Sequence, residues 1–445
     1  MEQNTPQNLH QVTIEGIDLD GKGIARIDGK TVFVDGVLPT EVVNIEIYKR
    51  REKFDKARAL EIITKSTERV DPLCPNFGIC GGCSLQHIDI EAQVKYKQQV
   101  LIDNLKHIGR VSTNEILPAM NSTSWGYRHR ARMSSRYVAK KGGVLVGFHE
   151  KGSSFVANMS ECKILPENVS DLIPELRILV DKLSIKDRVP QIEVAVGDKV
   201  TALVFRIMDP LNLDDEILLK EFADIHHNIP LQIWLQPKGP DTCYPFYPLD
   251  VAKLSYSITK FNLEMPYYPS EFTQVNPEMN NRMVELAINL LNPQENEKIA
   301  DFFCGIGNFT LPIAKFASSV VGIEGSSQLV KRAMENAIHN QLDHKVSYLV
   351  SNLFKVDENS LKELGKFDKW LIDPPRDGAY ELIKAITPEI APTKIVYVSC
   401  NPATLARDAD ILVNTHGYTL DKAGVMNMFP HTSHIESIAI FEKIL

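Results

Sequence analysis

The chain has 445 residues, with 49 Lys and Arg against 57 Asp and Glu for a formal net charge of −8. That length exceeds what one hydrophobic core holds and predicts two or three domains. Hydrophobic content of 44% with 24% charged residues describes an ordinary globular protein, and the net acidity excludes wholesale electrostatic binding to nucleic acid, though not a local basic surface.

The start, Met1-Glu2-Gln3-Asn4-Thr5-Pro6, lacks the basic and apolar regions of a signal peptide, and no apolar run reaches the roughly 18 residues of a membrane helix. A cytoplasmic location is expected, where seven Cys do not read as a disulfide framework. Residues 9 to about 63 read as a small all-β module. Val12-Thr13-Ile14, Thr31-Val32-Phe33-Val34 and Val42-Val43-Asn44-Ile45-Glu46-Ile47 are separated by turn signals at Asp20-Gly21-Lys22-Gly23, Asp28-Gly29 and Leu38-Pro39. A barrel of the oligonucleotide-binding kind fits that spacing.

A Cys-rich segment follows from Asp71 to Cys83. Cys74, Cys80 and Cys83 are spaced C-x5-C-x2-C among Pro72, Pro75, Gly78, Gly81 and Gly82, and Cys162 supplies a distant fourth thiolate. Zinc ribbons use two separated C-x2-C pairs, so a four-Cys iron–sulfur cluster accepts this pattern more readily than zinc. His87 reads as a surface histidine rather than a substitute ligand. Helical periodicity over Ile88–Ile108 aligns Val94, Val100, Leu101, Ile102 and Leu105. From Asn121 to His149 there is no Asp or Glu. That stretch carries Arg128, Arg130, Arg132, Arg136, Lys140 and Lys141 interleaved with Trp125, Tyr127, Tyr137 and Phe148. Rings stack on bases while Arg and Lys meet phosphates, so this reads as an RNA-facing surface. Residues 121 to about 268 look mainly β with interspersed helix, and strands alternate with helices from Ser270 onward, which predicts a parallel sheet wrapped by helices. The expected domains are 1–64, 65–269 and 270–445, with the helix near 88–109 a candidate for packing on the last.

Three motifs in the last domain carry chemistry. Asp301-Phe302-Phe303-Cys304-Gly305-Ile306-Gly307-Asn308-Phe309-Thr310 joins a strand to a helix, and its glycines let backbone approach a ligand closely. Val320-Val321-Gly322-Ile323-Glu324 ends a second strand on an acid spaced to reach ribose hydroxyls, and Asn352 after Val346–Val350 suits an adenine edge. Cys304 reads as packing beneath the loop. Without a third Gly or a basic residue in the loop, a nucleoside cofactor fits better than a phosphate-bearing dinucleotide. Asp373-Pro374-Pro375-Arg376 and Ser399-Cys400-Asn401-Pro402 each follow an apolar strand, so a carboxylate, an Arg and a thiol should meet in one cleft at the carboxyl ends of the sheet.

A thiol beside a nucleoside cofactor has a specific use. Carbon 5 of a pyrimidine is a poor nucleophile until a thiolate adds to carbon 6 and makes it enolate-like, after which a base must remove the carbon-5 proton. Cys400 is the candidate nucleophile and Glu436, at the start of the last strand, the candidate base. His431 and His434 stand as alternative bases.

Together, Asp373-Pro374-Pro375-Arg376, Ser399–Asp408 and Phe429-Pro430-His431-Thr432-Ser433-His434-Ile435-Glu436 resemble the RNA uracil-5-methyltransferase family, and the resemblance runs end to end. It implies an α/β fold with a class I, Rossmann-like methyltransferase domain at the C-terminus, an N-terminal TRAM β-barrel and a central mixed α+β iron–sulfur domain. It implies Cys400 as nucleophile, Glu436 as base, and Gln274, Phe303, Asn308, Glu324, Asn352 and Asp373 around S-adenosylmethionine. Asp373, with Gln274, would also fix the uracil edge. Cys74, Cys80, Cys83 and Cys162 match the family's [4Fe-4S] ligands. The implied partner is 23S rRNA, bound through a flipped-out uridine, with no membrane and no obligatory protein partner. At the adenosine contact, Ser351 competes with Asn352.

Overall fold

The structure is a computed structural model that describes residues 9–18, 20–226 and 230–444; residues 1–8 of the expected barrel lie outside the described residues. Six strands between Leu9–Thr13 and Phe54–Thr64 form the first sheet. Alternate residues point inward, as a half-buried strand requires: Val43, Ile45 and Ile47 are buried in the strand Val42–Arg50, whose Lys49 and Arg50 end in solvent. The first strand also touches the third, so the sheet curls back on itself around Val32, Val34 and Ala57.

A second six-stranded sheet, ordered Tyr244–Tyr247, Leu231–Gln236, Thr201–Arg206, Gln191–Val196, Arg130–Val138, Gly143–Gly147, is mixed in direction. It packs against helices Leu172–Lys182 and Leu213–Ile225 through Leu176, Val180, Leu219 and Phe205. The third sheet has eight strands, ordered Val346–Val350, Ser319–Glu324, Lys298–Phe302, Lys369–Ile372, Lys394–Ser399, Glu436–Lys443, Tyr418–Met426 and Glu115–Ile116. The first five run parallel. The expectation of a wholly parallel sheet needs correcting, because Glu436–Lys443 runs antiparallel to both of its neighbours.

Two elements of the expected central domain belong physically to the third sheet. Helix Ile90–His107 packs on helix Pro402–Asn414 and strand Tyr418–Met426, and Glu115–Ile116 pairs with that same strand. The boundary expected at 269 also falls inside a core: Tyr256, Ile258, Leu263 and Met265 of a small hairpin pack with Met279 and Met283 of helix Pro277–Leu291. The hydrophobic surface of that helix needs a cover on the side away from the sheet, and the hairpin supplies it. Among the described residues no helix is long and apolar enough to cross a membrane.

Candidate active site

Strands Lys298–Phe302 and Lys369–Ile372 are neighbours, yet the chain visits Ser319–Glu324 and Val346–Val350 between them. That reversal of strand order opens a crevice beyond their carboxyl ends, where ligands of open α/β sheets collect. A cavity of about 520 Å³ lies there. Gln274, Phe303, Asn308, Glu324, Asn352 and Asp373 all line it, and so do Cys400 and Glu436. Ser351 is not among the lining residues, so Asn352 is the one that faces the cavity.

The glycine loop is bent by three left-handed residues, Phe303 (φ 63°), Gly305 (φ 54°) and Gly307 (φ 95°). At Phe303 that conformation costs about 1–2 kcal/mol, and it is held because the Phe303 N–H donates to Ile323 O at 2.9 Å. Glu324 is fixed by two backbone donors, Gly305 N–H to Oε2 at 3.2 Å and Ser326 N–H to Oε1 at 2.9 Å. Asn308 exchanges side-chain hydrogen bonds with Asn280 (2.9 and 3.1 Å) and accepts one from Tyr256 Oη at 2.9 Å. Asp301 lies fully buried below the loop, where Thr310 Oγ1 donates to it and burial pushes its carboxyl up to about 8.

Cys400 sits at a tight strand-to-helix turn. Ser399 ends the strand, Asn401 caps helix Pro402–Asn414 by accepting from Ala403 N–H at 3.1 Å, and Pro402 takes the first helical position, where no N–H is needed. The two proline motifs are tied together, since Asn401 Nδ2 and Thr404 Oγ1 both donate to Arg376 O, at 3.0 and 3.2 Å. Arg376 in turn lies 3.1 Å from His434 Nδ1.

Three acidic or latent anionic groups crowd this end of the cavity. Burial, with Glu436 and Asp373 adding to it and Arg376 opposing, pushes the Cys400 thiol up to about 11. Glu436 is 3% exposed, and burial together with Asp373 holds its carboxyl well above the usual range. Burial alone pushes Asp373 up to about 7. Buried groups whose proton affinities are shifted from their ordinary values suit an exchange of protons with an entering substrate.

A second cavity of about 250 Å³ is lined by Cys74, Cys80, Cys83 and Cys162 together, with Arg128 and with His434, which therefore borders both cavities. Burial and the neighbouring thiols raise Cys83 to about 12 and Cys162 to about 11. Thiols that raise one another become good ligands once a cation neutralises them. Among the described residues no group of three or more His, Cys, Asp or Glu is disposed to hold a metal ion. His87 corrects the surface reading. It is 3% exposed beside the Phe77 ring, burial lowers it to about 4, and it does not line the cysteine cavity.

The acid-free basic run also needs correcting. Arg130 donates to three oxygens of the segment before Gln274: Glu271 O (2.8 Å), Thr273 Oγ1 (3.2 Å) and Pro269 O (2.6 Å). Arg132 pairs with Glu193 at 3.1 Å. Trp125 stacks on His431 with ring centroids 3.9 Å apart, and Tyr127 Oη donates to Pro430 O at 2.9 Å. The run finds its partners in strands and loops remote in sequence, which composition alone does not reveal. Arg136, Tyr137 and Lys140 do face solvent. Sequence reasoning also missed Tyr256, Thr273 and Phe272, all lining the larger cavity from segments without a motif.

A family model described as tRNA (Uracil-5-)-methyltransferase matches residues 250–444, and a TRAM domain model matches residues 10–60. The chain is 59% identical to the 23S rRNA (uracil(1939)-C(5))-methyltransferase RlmD of Chromobacterium violaceum, over 98% of this chain and 85% of that one. It is 54% identical to the protein of the same description from Nitrosospira multiformis, over 97% and 98% of the two chains. Among solved structures, the Pyrococcus abyssi tRNA (uracil-54, C5)-methyltransferase in complex with S-adenosyl-L-homocysteine superposes with a TM-score of 0.72. That match covers 97% of this chain and all of the other at 23% identity, a likeness of fold. With full-length identity above half, the chain belongs to the RNA uracil-5-methyltransferase family.

Proposed function

We propose that this protein transfers a methyl group from S-adenosylmethionine to carbon 5 of uracil 1939 in 23S rRNA. The observation that carries this is identity of 54–59% over nearly the whole chain to relatives described by that activity. The tRNA reading rests on a family description and on a structure only 23% identical, and it is the weaker one.

The proposed cofactor pocket uses the glycine loop with Phe303 and Asn308, the ribose-facing Glu324, Asn352 at the adenine and Gln274 beside Asp373. A target uridine flipped from its stack fills the space toward Cys400. The Cys400 thiolate adds to uracil carbon 6, and the electron pair reaching carbon 5 attacks the sulfonium methyl, releasing S-adenosylhomocysteine. Glu436 takes the carbon-5 proton, the carbon–sulfur bond breaks, and the ring double bond returns with the thiolate restored. Asp373 and Gln274 orient the uracil edge. The shared cavity and the antiparallel start of the Glu436 strand support this division of roles.

Cys74, Cys80, Cys83 and Cys162 are the proposed ligands of a [4Fe-4S] cluster. Their common cavity and the room within it support a polynuclear centre. When bound, such a centre would fix the Cys-rich loop to the segment that carries Cys162 beside the second sheet. The TRAM module, with Arg136 of the second sheet and Lys140 in the turn that follows its strand, would meet rRNA in the cytoplasm without an obligatory protein partner. The division 1–64, 65–269 and 270–445 is kept with two changes: helix Ile90–His107 and the hairpin of Ser255–Ile258 and Leu263–Pro266 are assigned to the catalytic core.

Mapping 5-methyluridine in rRNA and tRNA from cells lacking the gene tests the assignment. Loss at position 1939 of 23S rRNA with tRNA unchanged is expected; loss confined to tRNA overturns it.

A further inference from the structure

We propose that Lys97 is a positioning residue for the catalytic step, holding the loop that delivers Glu436 to Cys400. The inference rests on the assignment of Glu436 as base made above.

Lys97 is 3% exposed in the middle of helix Ile90–His107. Its Nζ donates to Asn427 Oδ1 at 2.8 Å and to Phe429 O at 2.9 Å, both in the loop between strand Tyr418–Met426 and Glu436. Burial pushes the amine down to about 7, and among the described residues no charged group offsets that burial. An amine buried without a carboxylate costs several kcal/mol, whereas Met or Leu would pack the same helix face at no such cost. What the amine gains is confined to two neutral oxygens of one loop, so the loop is what it serves.

The rest of the loop is held in the same way. Gln93, one turn earlier on the same helix face, accepts from His431 N–H at 2.8 Å and meets His431 Nδ1 at 3.2 Å. Ser84 and Leu85, directly after Cys83, donate their N–H groups to His431 O at 3.0 and 2.9 Å. His431 is left-handed (φ 65°), which a non-glycine residue keeps only when its surroundings dictate it. Asn427 Nδ2 donates to Asn121 Oδ1 at 3.0 Å. The loop is thus fastened from outside its own sheet, and both described hydrogen-bond acceptors of the buried Lys97 amine lie in that loop.

The test uses the full-length holoenzyme with target rRNA under single-turnover conditions, following formation and breakdown of the Cys400–RNA adduct on denaturing gels. For Lys97→Met, formation within about threefold of wild type and breakdown slowed about tenfold or more are expected, because a small misplacement of a reacting group costs on the order of a hundredfold. A folded Lys97→Met enzyme that resolves the adduct at the wild-type rate overturns the proposal, and so does one that slows both steps equally. Glu436→Gln, measured in parallel, separates the two claims. If it accumulates adduct and Lys97→Met does not, the base assignment stands and the Lys97 role falls; if it resolves adduct normally, both fall. Should Lys97→Met fail to fold, Asn427→Ala removes the side-chain acceptor and is read the same way. Failure of both to fold makes Lys97 a core residue and overturns the proposal.

Discussion

Ser399 and Ser437 face each other across an antiparallel strand pair, with Ser437 Oγ donating to Ser399 O at 3.1 Å. Cys400 follows the first and Glu436 precedes the second. Because the two strands run in opposite directions, the end of one and the start of the other meet at the same edge of the sheet. A parallel last strand would have carried Glu436 to the opposite edge, a full strand length away. The single reversal in this sheet is therefore what brings a thiol and a carboxylate into one cavity.

Burial, and after it the charges around Cys400, make its reactivity pH-dependent in a definite direction. With the thiol raised to about 11, alkylation by iodoacetamide in the free enzyme should be slow at pH 7 and climb through pH 9. Asp373→Asn removes one of the groups that raise the thiol, so the rise should move to lower pH. Arg376→Gln removes the opposing charge and should move it higher. Rates followed by mass spectrometry across pH 6–10 check both signs.

Glu324 holds two loop donors and lines the cavity, so its loss should weaken the cofactor complex before it affects the fold. Glu324→Gln should raise the Kd for S-adenosylhomocysteine by about tenfold to a hundredfold, the range for a lost charged hydrogen bond of roughly 1.5–3 kcal/mol. Isothermal titration calorimetry gives the number.

Arg130 separates a packing role from an RNA role. Its guanidinium is spent on Glu271 O, Pro269 O and Thr273 Oγ1, at the base of the segment that carries Gln274. Arg130→Met should weaken S-adenosylhomocysteine binding by about tenfold. The salt dependence of RNA binding should stay the same, since no phosphate contact is lost. A flattened salt slope with unchanged cofactor affinity would return Arg130 to the RNA surface.

Gly322 lies in strand Ser319–Glu324 with no room for a side chain. An added Cβ would stand 2.6 Å from Tyr348 Cδ1 and 3.0 Å from Cys304 Sγ. Gly322→Ala should lower stability by about 1–3 kcal/mol, the usual cost of overpacking, visible as a lower Tm in calorimetry.

How much of this was legible in the sequence follows from the range of each interaction. Strand ends carrying Glu324, Asp373 and Cys400 could be read because hydrophobic runs and the residues after them are local features. Chain direction in the last strand could not be read, since Glu436–Lys443 carries a central apolar run, Ile438–Phe441, like the parallel strands of the sheet, and periodicity carries no sign. The partners of Arg130, Trp125 and Tyr127 lie about 140 to 300 residues away, so part of a stretch that looked like an RNA surface proved to be internal fastening, while Arg136, Tyr137 and Lys140 stay exposed. His87 and Lys97 look like surface residues by type, and only the packing of remote segments buries them.

The measurement that bears most directly on the central claim is covalent trapping with target 23S rRNA. The Glu436→Gln enzyme, given RNA and S-adenosylmethionine, should hold methylated RNA on a peptide containing Cys400, detectable by mass spectrometry, while Cys400→Ala should neither methylate nor crosslink. A Cys400→Ala enzyme that still methylates carbon 5 would contradict the account.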